Sequence, residues 1–245
     1  MAAKTGFQRF TGFRSLPYRS GIVYNFVTDC LYDRYEKFST IAKLVGNRAQ
    51  KKVLDLPCGT GFLTRFLHPS TIYTGFDLNH RFLKKIKKDW IKGKIKLNKV
   101  VLKQHNIFDF DKYPKELQDV IVFCDIIHHI YEEKSNRHIE LIENAKKHAK
   151  KIILCEPVAI RPKDMNADAF LGKAMMKITK FFPERIIKVL DFFLADNDGI
   201  NSYENRASWQ HNEQSLINFY KSLGFNKIYN LVDDYIGVWE KTQDN

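Results

Sequence analysis

The stretch Val53–Leu63 reads VLDLPCGTGFL. Apolar residues on either side of Asp55 run straight into a turn with two glycines, Gly59 and Gly61. That is the signature of a buried strand leaving a sheet through a loop whose backbone N–H groups can approach a ligand. In open α/β sheets such loops lie at the carboxyl ends of the strands, where ligands bind. Pro57 stands where a turn of this kind often has its first glycine. Proline removes one backbone donor and sets φ near about −65°. The turn therefore needs no positive φ at Pro57, provided Gly59 and Gly61 supply the flexible points.

Working outward, four more short runs share the composition of the first, Lys51 to Leu56. They are Thr71–Phe76, Lys99–Gln104, Asp119–Cys124 and Lys151–Glu156. All are β-branched and almost continuously apolar, as strands buried on both faces of a parallel sheet read. The intervening segments, GFLTRFLH after the first run and SNRHIELIENAKKHAK before the fifth, are expected to be crossover helices. Near the end, SLINFYKSLGF predicts a helix closed by Gly224. NKIYNLV and YIGVWEK then predict a strand pair turning at Asp233-Asp234, with the last strand antiparallel and at the sheet edge. The fold class is α/β, a doubly wound, mostly parallel seven-stranded sheet with an antiparallel last strand. Two regions fall outside the alternation: a leader over residues 1–45 with a helix expected from Tyr24 to Leu44, and a helical insertion at about 158–208.

The chain has 245 residues, 44% of them hydrophobic, which suits one α/β domain with an insertion and excludes a disordered chain. Its net charge of +12 favours anionic partners or merely reflects solvated lysines. The densest cluster runs from Arg81 to Lys103, with Arg81, Lys84, Lys85, Lys87 and Lys88 on an expected outer-face helix. Cys30, Cys58, Cys124 and Cys155 form no CxxC, and no His lies at zinc-like spacing from them, so no metal is expected. There is no signal-type apolar segment and no run long enough to cross a bilayer. A reduced, cytoplasmic protein is the expectation, with Cys58, Cys124 and Cys155 as buried fillers.

A dinucleotide fingerprint requires G-x-G-x-x-G. Here Thr64 replaces the third glycine, and Asp55 stands four residues before Gly59, an odd neighbour for a pyrophosphate. Asp77, in TGFDLN, is placed to accept both ribose hydroxyls of an adenosine ligand or to cap a helix. Asn106, in QHNIFDFD, is placed to meet an adenine edge or to cap a turn, with Ile107 offering a backbone N–H and an apolar surface. In this order DLPCGTG, GFDLN, HNIFD and CDIIHHI resemble the class I S-adenosylmethionine-dependent methyltransferases, over roughly residues 45 to 157. The resemblance implies S-adenosylmethionine as cofactor. It implies that Asp55, Cys58, Gly59, Thr60 and Gly61 wrap the methionine portion, that Asp77 grips the ribose with Leu78 beside the adenine, and that Asn106 and Ile107 bind the adenine edge. The carbonyl near Cys124 would receive the cofactor's amino group, and Tyr24 would touch its methionine end. The family often has an acidic residue where Asn106 stands.

Methyl transfer to a hydroxyl or a protonated amine is helped by a base. His128 and His129, just past the fourth strand, have the right intrinsic pKa, with His128 the first choice and Glu156 a weaker one. The position CDII lacks the N/D-P-P-Y/F motif of base-amino methylation, and Pro57-Cys58 sits in the wrong loop for a cytosine-C5 nucleophile. In the insertion, Phe170, Leu171, Met175, Ile178 and Phe182 recur at helical spacing among Lys173, Lys177, Lys180 and Lys188. That pattern reads as a lid over an apolar substrate, as a peripheral contact with anionic membrane, or as plain packing. The expected function is methyl transfer to an oxygen or nitrogen of a small-molecule or lipid-like acceptor. RNA methylation is the first alternative, nucleic acid being the weaker partner class, and a non-enzymatic scaffold built on the same fold is the second.

Overall fold

The computed structural model describes residues 16–31, 34–131, 136–158, 183, 209, 211–231 and 234–242. The remainder of the expected insertion and the first fifteen residues lie outside the described residues, as does Asp233 of the expected turn.

Seven strands form one sheet: β1 (Lys52–Asp55), β2 (Ile72–Phe76), β3 (Lys99–Lys103), β4 (Val120–Cys124), β5 (Lys151–Pro157), β6 (Lys227–Leu231) and β7 (Asp234–Glu240). Their order is β3-β2-β1-β4-β5-β7-β6, and β1 to β5 are all parallel. The order reverses between β1 and β4, so the mouth of the sheet lies beyond Asp55 and Cys124. β7 runs antiparallel to both β5 and β6. The last strand is therefore not the edge, as the sequence predicts; it is inserted beside β5, and β6 takes the edge. Burial explains the choice: β7 carries a run of buried residues, Tyr235 to Val238, whereas β6 has none.

Each central strand serves two cores, because successive side chains point to opposite faces. Leu54, Ile121, Phe123, Ile152 and Leu154 pack with helices α6 (Arg137–His148) and α7 (Glu213–Ser222) through Leu141, Ile142, Leu216 and Tyr220. Val53, Tyr73, Val120, Val122, Ile153 and Cys155 face the other side, against α3 (Arg34–Val45) and α4 (His80–Ile91) through Ile41, Val45, Leu83 and Ile86. This two-sided burial is why the strands read as unbroken apolar runs. Asn79 and Asn212 cap α4 and α7 with their side-chain oxygens, and α7 ends at Gly224, whose φ is +80°.

Two helical expectations need correction. GFLTRFLH forms a single 3₁₀ turn, Phe62–Arg65, and no crossover α-helix. Gly61, in the left-handed region at φ +73°, opens the segment and Pro69 bounds it after seven residues, so it makes one tight turn before β2. The expected leader helix is two, α2 (Gly21–Leu31) and α3, preceded by the short α1 (Leu16–Arg19), with residues 32 and 33 outside the description. A four-residue helix, α5 (Ile127–Ile130), follows β4.

Candidate active site

A cavity of about 230 Å³ opens at the mouth of the sheet. It is lined from the loop after β1 by Asp55, Pro57, Cys58, Gly59, Thr60 and Phe62, and after β2 by Asp77 and Leu78. Asn106, Ile107 and Phe108 follow β3, and Cys124, Asp125, Ile126, His129 and Ile130 follow β4. Tyr18, Tyr24, Arg34 and Phe38 close it from α1–α3.

The loop after β1 is held at both glycines. Gly59 and Gly61 have φ values of +51° and +73°. A Cβ at Gly61 would lie 2.7 Å from Ile86 Cγ1, so the glycine also permits the loop to pack on α4. The Leu56–Pro57 peptide is cis. Cys58 donates its N–H to Phe76 O at 2.8 Å, and its side chain fills the space that Gly75 leaves on β2. Cys58 and Cys155 are buried free thiols, pushed above the ordinary range first by desolvation for Cys58.

The carboxylates differ in what they meet. Asp77 Oδ2 accepts the Gly59 N–H at 2.8 Å and Oδ1 accepts the Asn79 N–H at 2.7 Å. It thus clips the glycine loop to the end of β2, and the helix cap is Asn79. Asp55 is 4% exposed and accepts the Tyr73 hydroxyl at 2.6 Å. Tyr73 lies two residues earlier on the neighbouring parallel strand, on the same face. Burial pushes the Asp55 carboxyl up to about 7, against the Tyr73 hydrogen bond and with help from the Asp77 charge. Asn106 spends its side-chain oxygen on the Phe108 N–H at 3.0 Å, leaving its amide nitrogen for other partners.

Past β4, Asp125 has a φ of +53° and turns its carboxylate onto Lys37 of α3, at 3.0 Å. Lys37 also meets Asp234 at 2.9 Å, tying α3 to the ends of β4 and β7. Desolvation pushes the Asp125 carboxyl up, but the charges of Lys37 and His128 outweigh it and leave the group below its ordinary value. Burial brings Asp234 up to about 6 in spite of Lys37. Glu156 is fully buried; its Oε1 accepts the N–H groups of Ile126 and Ile127 at 2.9 and 2.7 Å. Its Oε2 lies 2.6 Å from His128 Nδ1, so one proton sits between them. Burial and the Asp125 charge raise the Glu156 carboxyl to about 8. His129 stacks on His128 with ring centroids 4.2 Å apart and is the one of the pair that lines the cavity.

Residues 47–219 match the model of a family described as methyltransferase domain, which is more than half the chain. The chain belongs to the class I S-adenosylmethionine-dependent methyltransferases. The methyltransferase's sheet is similar to that of magnesium protoporphyrin IX methyltransferase from Synechocystis PCC 6803, solved with bound SAH. Identity is 14% and the TM-score 0.53, over 84% of this chain and 83% of that one. The N-methyltransferase NodS from Bradyrhizobium japonicum WM9 is 13% identical with a TM-score of 0.52, over 86% and 97%. An O-methyltransferase family protein from Burkholderia thailandensis is 14% identical with a TM-score of 0.52, over 84% of this chain and 56% of that one. No curated protein sequence matches. These likenesses establish the fold.

The cavity contains every cofactor-binding residue named from the sequence except Gly61, whose N–H is turned back to Cys58 O at 2.9 Å. His128 lies outside its lining. Sequence reasoning missed Arg34, Lys37, Tyr73 and Asp125. Tyr73 carries no local signal beyond a strand tyrosine, and the aspartate stood in plain view within CDII. Lys37 reads as one more exposed helix lysine until the fold brings it between two carboxylates. Among the described residues no cluster of His, Cys, Asp or Glu could hold a metal ion, and no helix is long and apolar enough to cross a membrane.

Proposed function

We propose that the enzyme transfers a methyl group from S-adenosylmethionine to an oxygen or nitrogen of a small, lipid-like acceptor. The observation that carries this is the wall of the cavity: Tyr18, Tyr24, Phe38, Phe62, Phe82, Ile126 and Ile130 surround a few ionisable groups. An apolar wall with sparse polar groups suits an amphiphile whose reacting atom is its polar end.

The donor set fits the cofactor. Asp55 is a buried carboxyl at a cavity with a hydroxyl for its partner, and a cationic methionine head would complete it. Asp77 and the exposed Leu78 stand at the end of β2 where a ribose and adenine would lie, with the Asn106 amide and Ile107 at the adenine edge. Cys58, Gly59, Thr60 and the carbonyl near Cys124 complete the methionine side, and Gly61 shapes the loop. When bound, the cofactor supplies an electrophilic methyl group on a sulfonium. The chain's own task is to align the acceptor and exclude water. His129, at the cavity wall, supports the role of base or acceptor-orienting group better than His128. His128 would hold His129 in place through the Glu156 contact and the ring stack. Residues 1–45 act as a cap over residues 46–245 in this reading, since α1–α3 contribute Tyr18, Tyr24, Arg34 and Phe38 to the wall.

The test is transfer of a labelled methyl group to the organic and aqueous fractions of a cell extract. Label entering lipid-soluble material, and lost in Asp77→Ala, supports the proposal. Label confined to RNA or to water-soluble compounds overturns the acceptor class. Absence of S-adenosylmethionine binding by calorimetry overturns the site.

A further inference from the structure

α2 has two unlike faces. Gly21, Tyr24, Asn25 and Thr28 turn inward: Tyr24 packs on Phe82, with ring centroids 5.0 Å apart, and Asn25 accepts the Thr60 hydroxyl at 2.6 Å. The opposite face presents Ile22, Val23 and Phe26, which are 70%, 41% and 70% exposed. Single exposed apolar residues are ordinary, but three together on one face of a helix mark a contact surface. Beside it lies α4. Gly21 passes so close to Lys85 that a Cβ there would meet its Cδ at 2.6 Å, and Arg81 donates to Arg19 O at 3.0 Å. α4 buries Phe82, Leu83 and Ile86, which leaves Arg81, Lys84 and Lys88 exposed, while Lys85 is largely covered where Gly21 packs on it. Lys85 is paired with Asp89 at 2.5 Å; Arg81, Lys84 and Lys88 make no ion pair among the described residues.

We propose that this face seats the enzyme on a bilayer with anionic headgroups. Ile22, Val23 and Phe26 would enter the interface while Arg81, Lys84 and Lys88 meet lipid phosphates, the pairing of apolar and cationic groups that interfacial helices use. Charge complementarity points to this occupant, and the exposed aliphatic side chains of Ile22 and Val23 offer a nucleic acid neither a stacking face nor a hydrogen bond. Tyr18 and Tyr24 on α1 and α2, and Phe82 on α4, also line the cavity, so the same helices would bring its mouth to the surface. A lipid-like acceptor would then enter without crossing water, and this part rests on the function proposed above.

The experiment is co-sedimentation of the full chain with phosphatidylcholine vesicles, with and without phosphatidylglycerol. Binding is expected only with the anionic lipid, weakening with salt. The I22S/F26S pair should abolish it with the charge unchanged, and K84Q/K88Q should lower partitioning roughly 30-fold. All four side chains project to solvent, so circular dichroism and cofactor affinity should match the parent. Equal binding to neutral vesicles, or binding indifferent to both pairs, overturns the proposal. So does an RNA duplex bound through Lys84 and Lys88 in place of vesicles, or a dimer that F26S dissociates. Anionic binding with methylation confined to water-soluble acceptors would keep this surface and remove the lipid-like acceptor.

Discussion

Cofactor affinity should depend on pH through Asp55, and the structure sets the shape of the curve. The carboxyl is raised from 3.8 to about 7, burial being the largest cause. Ionising it in the empty protein therefore costs about 4 kcal/mol more than in the unfolded chain. Because the folded value lies above the unfolded one, the protonated group favours folding below about pH 4, and that contribution is lost as the pH rises through about 7. If the methionine head binds the carboxylate form, affinity must move the other way. Kd should fall about tenfold per pH unit below 7 and then level, a change of about 25-fold between roughly pH 5.5 and 7.5. The cofactor's own amine stays charged through most of that window. Tyr73→Phe removes the hydrogen bond that holds the carboxyl down. A hydrogen bond to a charged group contributes about 1.5–3 kcal/mol, so the midpoint should rise by about one to two units. At pH near 7.5 the variant should bind about tenfold more weakly, and its curve should show no bend below that pH. Asp55→Asn should remove the dependence altogether. Titration calorimetry across the window reads all three. A flat curve for the parent, or a bend that Tyr73→Phe leaves in place, would refute the assignment of Asp55 to the methionine head. Tyr73 and Asp77 are the titratable groups that act on it.

Three further outcomes follow from the geometry. His129→Ala should lower kcat by about 10²-fold with cofactor affinity little changed, whereas His128→Ala should also lower the melting temperature, because Glu156 loses its partner at a cost of about 1–3 kcal/mol; equal kcat losses at unchanged stability would reverse their roles. Lys37→Met leaves Asp125 and Asp234 facing each other without a cation and should cost about 3 kcal/mol by denaturant unfolding, the low end of the range for a broken buried pair because the Asp125 side chain is 41% exposed. Gly61→Ala should destabilise by about 1–3 kcal/mol, since it strains a left-handed φ and pushes into Ile86; a melting temperature equal to the parent's would mean that the loop relaxes freely.

The sheet was legible because its chemistry is local. Continuous β-branched runs such as KIILCE can be buried on both faces only when helices cover both, and DLPCGTG with GFDLN locates the mouth. The failures have physical reasons too. GFLTRFLH has helical composition, yet it is bracketed by Gly61 at a left-handed φ and by Pro69, and a single 3₁₀ turn is what this short span adopts. The position of β7 depends on which strand has apolar residues for both faces of the sheet, and only comparison of YIGVWEK with NKIYNLV reveals that. Which of His128 and His129 lines the cavity is not readable locally: adjacent residues on a one-turn helix point about 100° apart, and Glu156, which holds His128, comes from a strand 28 residues later.

The same non-local logic separates four carboxylates that the sequence presents as equals. Asp77 takes backbone N–H groups from the glycine loop and from Asn79. Asp125 has the Lys37 ammonium, and Glu156 has two N–H groups and an imidazole. Asp55 has the Tyr73 hydroxyl alone among the described residues. A hydroxyl can hold a carboxyl in place without supplying the charge that would make its ionised form comfortable in a buried site. Of the four, Asp55 therefore gains most from an arriving cation, and it stands beside the loop that would surround the sulfonium end of the cofactor. The loss of a phosphate-type third glycine and the presence of a carboxylate before the turn are then one feature: both make the loop a poor site for an anion and a good one for a positively charged ligand.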